Sequence, residues 1–185
     1  MSTNRVVAAG FLALVLCAGA LFGQERERPP DFQFILGPRI GVAYDFTSTE
    51  EFTDAVRTRY PDGTYVPVTS LFGIIAEQRI LLGETNNHFA FQEVLLVGGL
   101  EQSIALPVAS VLVGYRDASG FEFGVGPNLS FAGIGVIVAA GYTISFSGVF
   151  VPVDVSVVIP NANRPASVAL TTGFNFVTQA VYSRR

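Results

Sequence analysis

An all-β fold, eight antiparallel strands wound up and down and closed into a barrel that crosses a membrane, is predicted by three observations. From Phe121 to Phe176 the chain carries three charged residues in 56, namely Glu122, Asp154 and Arg164. In the same stretch the apolar residues alternate with period two. Val149, Val151, Val153, Val155 and Val157 share one strand face, while Gly148, Pro152, Asp154 and Ser156 share the other. Eight alternating segments of about ten residues follow one another, separated by turn residues. A soluble sheet needs charge on its outer face, and without it the apolar stripe is expected to face lipid. An open sheet edge in lipid leaves backbone groups unpaired, and closure removes that cost.

The elements follow in order. Leu36–Phe46 sets Leu36, Pro38, Ile40, Val42, Tyr44 and Phe46 against Arg39, Gly41, Ala43 and Asp45. Ser48-Thr49-Glu50-Glu51 matches a capping box, so a short helix is expected over 49–59, stopped by Pro61-Asp62-Gly63 and placed in the first external loop. It is the only helix expected after the chain's start. Strands are then expected at 66–81, 89–100, 104–115 and 121–130, the fifth being the clearest alternation in the chain. The sixth spans 134–146, the seventh is the valine stripe, and the eighth sets Val168, Leu170, Phe174 and Phe176 against Ala169, Thr171, Gly173 and Asn175. The barrel is thus assigned to 32–176, with a polar linker at 24–31 and a tail at 177–185.

At 185 residues and 50% apolar, the chain fits one domain. A mean hydropathy of +0.47 is high for a chain with no apolar helix beyond its start. All basic residues are Arg, the net charge is −4 and the pI is 4.9, which excludes the clustered basic surface that nucleic acid requires. Residues 1–23 read as an export signal, with Arg5 before the apolar run from Val6 to Phe22 and cleavage after Ala20 or Gly23; an uncleaved anchor is the alternative. Lipidation at Cys17 would require a small residue where Leu16 stands. With Cys17 removed, no disulfide, thiolate metal site or cysteine nucleophile remains.

Threading from an internal N-terminus puts the longest connection, 47–64, outside the cell, as such barrels prefer. Seven of the eight inner strand ends then carry aromatic residues suited to a membrane interface. They are Phe32 and Phe34, Phe89 and Phe91, Tyr115, Phe121 and Phe123, Phe146, Phe150, and Phe174 and Phe176. Tyr44, Phe46, Tyr65 and Phe131 would form a sparser outer ring. In this architecture, and in the ending Thr171-Thr172-Gly173-Phe174-Asn175-Phe176, the chain resembles the small eight-stranded outer-membrane barrels of the OmpA-transmembrane, OmpX and OmpW group. The resemblance implies outer-membrane lipid as surroundings, insertion by the barrel-insertion machinery and no cofactor. The nine residues after Phe176 depart from that pattern.

Arg39, Asp45, Glu77, Arg79, Glu93, Arg116, Glu122, Asn128 and Asp154 are expected to face the lumen. An eight-stranded barrel holds little more than its own side chains, so these should pair with one another. Glu77 and Glu93 are a conceivable carboxyl pair, though Arg79 beside them makes an ion pair simpler. Strands two to four are apolar on both faces, with Leu71, Ile75, Leu95, Val97, Val111 and Val113 competing for the inside. The interior is therefore either a plug or a slot for small apolar solutes, the second being what the OmpW likeness implies. His88, the one histidine, is expected in a solvated inner turn, away from the outer leaflet where barrel lipid hydrolases place theirs. No zinc ligand set exists, and Gly124-Val125-Gly126 lies within a strand and opens no phosphate-binding helix.

A non-enzymatic structural or surface-interaction role follows. Its contact candidates in the external loop are Glu50, Glu51, Phe52, Asp54, Arg57, Arg59 and Tyr60. A soluble calycin-like lipid-binding barrel is the competing reading, and it requires the valine stripe to face inward.

Overall fold

The computed structural model describes residues 31–46, 50–82, 85–160 and 166–182. The expectations for the export signal, Cys17, nearly all of the linker and the capping residues Ser48 and Thr49 lie outside the described residues. The strands are β1 (Phe32–Asp45), β2 (Val68–Leu81), β3 (His88–Gly98), β4 (Leu106–Arg116), β5 (Phe121–Ser130), β6 (Gly133–Phe146), β7 (Val149–Ile159), β8 (Ser167–Gly173) and β9 (Asn175–Val181), with helix α1 (Glu50–Arg59) between β1 and β2. β8 and β9 are one stave interrupted at Phe174, so the barrel has eight staves.

Each strand pairs antiparallel with the next. β1 closes the ring, pairing with β2 from Phe32↔Ile80 to Tyr44↔Val68 and with β8 and β9 from Asp45↔Ser167 to Phe32↔Val181. The side-chain period of two then sorts the residues between lumen and exterior. Val153, Val155 and Val157 are 44%, 49% and 42% exposed, whereas Asp154 and Ser156 between them are half-buried and Pro152 and Val158 on either side are buried. The stripe faces outward, which removes the condition that a calycin-like barrel requires. β5 spans the expected residues, with Phe121, Phe123, Val125, Pro127 and Leu129 outside.

Several boundaries differ from expectation; β2 and β4 each begin two residues late, at Val68 and Leu106, and three others have a structural cause. β1 begins at Phe32, and the last stave continues to Val181 where a tail was expected. The two departures have one cause. Phe32–Phe34 carry backbone groups that need partners on their second side, and residues 177–181 supply them. A register shift between Phe34 and Ile35 leaves Thr178 as an extra residue, whose hydroxyl donates to the Phe34 carbonyl at 3.1 Å. β3 ends at Gly98, because Gly99 turns the chain at φ 79° into a one-turn 3-10 helix, Leu100–Gln102, that the alternating pattern did not announce. That turn caps the top of β2. Gln102 accepts from the Val66 N–H at 2.7 Å and donates to the Val68 carbonyl at 2.6 Å, and Ser70 hydrogen bonds hold the Glu101 carboxyl below the usual carboxylate range.

The long connections after β1, β3 and β7 leave from one end, here the helix end, and the shorter connections 82–87, 117–120 and 147–148 from the other, the turn end. In the 117–120 turn the Asp117 carboxylate accepts from the Ser119 hydroxyl at 2.6 Å and from three backbone N–H groups at 2.8–3.1 Å. These bonds keep its carboxyl below the ordinary range. Aromatic residues gather at the turn end as expected. Phe89, Tyr115 and Phe123 occupy adjacent registers with ring centroids 5.9 and 6.1 Å apart. Phe150 is a correction: its phase on β7 points it inward, and its ring lies 4.6 Å from the Arg79 guanidinium carbon. In the outer ring, Tyr44 and Phe46 project outward together, but Tyr65 and Phe131 pack on Phe52 at the mouth.

Candidate functional site: the charged plug, the cavity and the helical lid

The strand phases bring eight of the nine expected polar residues inside. At the turn end, Glu77 is completely buried and its carboxylate is shared. One oxygen accepts from Arg79 Nε; the other accepts from Arg116 at 3.4 Å and from Gln92 at 3.2 Å. Arg116 also donates through Nε to Glu122 at 3.0 Å, and the second Glu122 oxygen accepts from the Thr143 hydroxyl at 2.6 Å. Two arginines and two carboxylates thus alternate in one buried chain, Arg79–Glu77–Arg116–Glu122. A buried charge left without such partners would cost several kcal/mol, on the order of 3–5. Halfway up, the buried Arg39 donates to the Asn175 amide oxygen at 2.7 Å, and Asn128 donates to the Ser110 hydroxyl at 2.6 Å.

Glycines opposite make the space. A methyl group on Gly141 would lie 2.0 Å from an Asp154 carboxylate oxygen, and one on Gly173 would lie 2.9 Å from Arg39 Nη1. Above this level Arg39, Arg116, Glu122 and Asp154 form the floor of a cavity of about 160 Å³. Its walls are Leu71, Ile75, Val94, Leu96, Leu112, Ile137 and Val158 with several Ala and Ser side chains. The interior is therefore divided, charged and filled at the turn end, mostly apolar and hollow towards the helix end.

A lid covers the hollow end. Val56 of α1 is buried against Ile104 and Leu106, with Phe52, Tyr60 and Tyr65 packed around them. Phe52 meets Tyr65 and Phe131 edge on at 5.1 and 6.1 Å and lines the cavity. Tyr60 donates to the Ala105 carbonyl at 2.6 Å, and Tyr65 to Asp45 at 2.5 Å; burial first, then this bond, pushes the Tyr65 phenol up. Phe52 and Tyr60 are therefore fasteners of the lid and not free contact residues. Glu50, Glu51, Asp54, Arg57 and Arg59 are exposed on its outer side, where Asp54 and Arg57 pair at 3.0 Å.

Several expectations are corrected. Glu93 points outward with Phe89, Phe91 and Leu95, on the face opposite Glu77, so the two carboxyls form no pair. Leu95, Val97, Val111 and Val113 are likewise outside, and the apolar lumen of β3 and β4 is built from Val94, Leu96, Leu106, Val108 and Leu112. The phase was readable from Phe89 and Phe91, since interfacial rings must face lipid and every second residue goes with them. His88 opens β3, is buried, and brings Nε2 within 4.0 Å of Glu77, with Nδ1 3.1 Å from the Asn86 carbonyl; it is not a solvated turn residue. Sequence reading missed Gln92, Thr143 and Asn175 as members of the interior network, although each shares its strand's inward phase. Among the described residues no cluster of His, Cys, Asp and Glu has metal-binding geometry.

No protein-family model matches the chain, and no curated protein matches its sequence. Similar solved structures exist. A barrel from the de novo design of transmembrane β-barrels is 12% identical, covers 83% of this chain and 100% of its own, with a TM-score of 0.43. Ail, the attachment invasion locus protein of Yersinia pestis, is similar in its crystal structure at 10% identity over 80% of this chain and 99% of its own, TM-score 0.45. Its backbone structure in a phospholipid bilayer nanodisc is similar at 11% identity over 77% and 99%, TM-score 0.42. The chain is a closed eight-stranded, antiparallel, up-and-down β-barrel with one α-helix between its first two strands, established by its own ladder of strand pairs.

Proposed function

We propose that this protein is a non-enzymatic outer-membrane barrel with a sealed lumen, acting through the surface that α1 presents outside the cell. The observation that carries this reading is the double closure: an ion-paired plug at the turn end and a helix clamped over the other end by Val56, Ile104 and Leu106. The outward apolar belt supports lipid as the surroundings. The long first loop supports a threading with both termini in the periplasm, after export by a cleaved signal and insertion by the barrel-insertion machinery. A helix fixed to the rim presents Glu50, Glu51, Asp54, Arg57 and Arg59 in a defined geometry, which suits a contact surface better than a solvated loop does.

Conductance tests the reading. Purified protein in planar lipid bilayers is expected to show no stepwise channels, because the Glu77–Arg79–Arg116–Glu122 side chains fill the turn end. Regular, well-resolved conductance steps from the unaltered chain would overturn it. The cavity supports a second reading, a pocket for one small apolar solute and not a conduit. Its volume of about 160 Å³ is close to that of an engineered apolar cavity, about 150 Å³, that takes up benzene.

A further inference from the structure

Two of the charges in the cavity floor stand outside the ion-paired plug. Arg79, Glu77, Arg116 and Glu122 are joined, with His88 beside Glu77, and none of these ion pairs includes Arg39 or Asp154. Both nevertheless line the same cavity. Arg39 is 3% exposed, and its hydrogen bonds among the described residues all leave from Nη1, to the neutral oxygens of Asn175 at 2.7 Å and Pro38 at 3.2 Å. Asp154 accepts no hydrogen bond among the described residues. The registers explain why the two do not meet. Arg39 pairs with Gly173 and Asp154 with Thr171, so β8 stands between them. The Arg39 head passes over Gly173 towards Asn175, whereas an Asp154 oxygen lies over Gly141 of β6, on the far side of β7. A guanidinium and a carboxylate thus face one hollow from separate points of its floor, below walls that include Leu71, Ile75, Leu112 and Ile137.

We propose that the cavity is a binding site for a small zwitterion with an apolar body, an α-amino acid of about the size of valine, its carboxylate on Arg39 and its ammonium on Asp154. Buried charges are costly unless each meets an opposite charge or a hydrogen-bond partner. A cation alone would answer Asp154 and leave Arg39 with neutral acceptors only, and an anion alone would do the reverse. A zwitterion answers both and leaves the charge of the lumen unchanged, while its hydrocarbon part meets the apolar walls. The volume of about 160 Å³ limits that part to a short branched chain. Entry is from the helix end, where Phe52 of α1 borders the cavity. The proposal rests on the cavity being a pocket and adds the chemistry of what it holds.

Titration of the full mature barrel in detergent micelles, followed by the amide shifts of Ala139 and Ala169 in the cavity wall, tests this with four probes. L-valine is expected to bind at least about tenfold more tightly than isobutylamine, which lacks the carboxylate, or 3-methylbutanoate, which lacks the ammonium. Benzene, the fourth probe, reports the hollow alone. Asp154→Asn should lower valine affinity about tenfold and leave benzene binding unchanged, because Asp154 holds no other group of the barrel. Arg39→Gln should do the same if it folds, which a heat-dependent gel shift checks; Asp154→Asn decides the matter if it does not. Isobutylamine or 3-methylbutanoate binding as tightly as valine, or unchanged valine affinity in folded Asp154→Asn, would overturn the zwitterion site. Saturable benzene binding without valine binding would overturn it and leave the apolar pocket standing, whereas no binding of any probe would overturn both.

Discussion

Glu77→Ala is expected to destabilise the folded barrel by about 3–5 kcal/mol, the cost typical of leaving a buried charge without its partner. Arg79 would lose its carboxylate and keep only the Phe150 ring, and Arg116 would keep Glu122 alone. Glu77→Gln should cost less, because the amide oxygen still accepts from Arg79 or Arg116. The fraction of unboiled protein that keeps folded gel mobility, followed across a urea series, gives the midpoint shift from which both values are read. A midpoint for Glu77→Ala equal to that of the unaltered protein would mean that the plug contributes no net stability.

The second large effect is expected at the lid. Val56→Asp places a carboxylate in the buried contact with Ile104 and Leu106, and the helix should leave the mouth to hydrate it. The barrel ladder does not depend on that contact, so the heat-dependent gel shift should persist while protease added to intact cells cuts between Arg57 and Arg59 at least tenfold faster, since local opening governs cleavage. Asp54→Ala is the control. Its exposed pair with Arg57 contributes about 0–1 kcal/mol, and the cleavage rate should not change. Val56→Asp with unchanged protease resistance would contradict the clamp.

How much of this the sequence announced varies with how differently the two faces of each strand are populated. In β5 every inward residue is Gly, Asn, Ser or Glu and every outward one is apolar, so its span and phase were legible residue by residue. In β3 both faces are apolar above Glu93, and the rule that charge goes inside assigned the wrong phase; Phe89 and Phe91 held the better signal. The plug was legible as a set of charges but not as pairs, because Glu77–Arg116 and Glu122–Thr143 depend on ring closure and register that no local pattern encodes. The extension to Val181 answered a need of β1 for backbone partners and not a pattern of its own. The lid was half legible. The acidic-to-basic helix was evident, but its seat on Ile104 depended on a 3-10 turn set by Gly99 that ended β3 early.

Which way the valine stripe faces decides between a lipid-facing barrel and a ligand-binding one. Single nitroxide labels at consecutive positions from 151 to 158, in protein reconstituted into lipid bilayers, report contact with lipid-soluble oxygen. The structure predicts high oxygen contact at Val151, Val153, Val155 and Val157 and low contact at Pro152, Asp154, Ser156 and Val158. The opposite alternation, or contact of the odd positions with a water-soluble quencher, would contradict a lipid-facing barrel and turn the stripe into the lining of a ligand cavity.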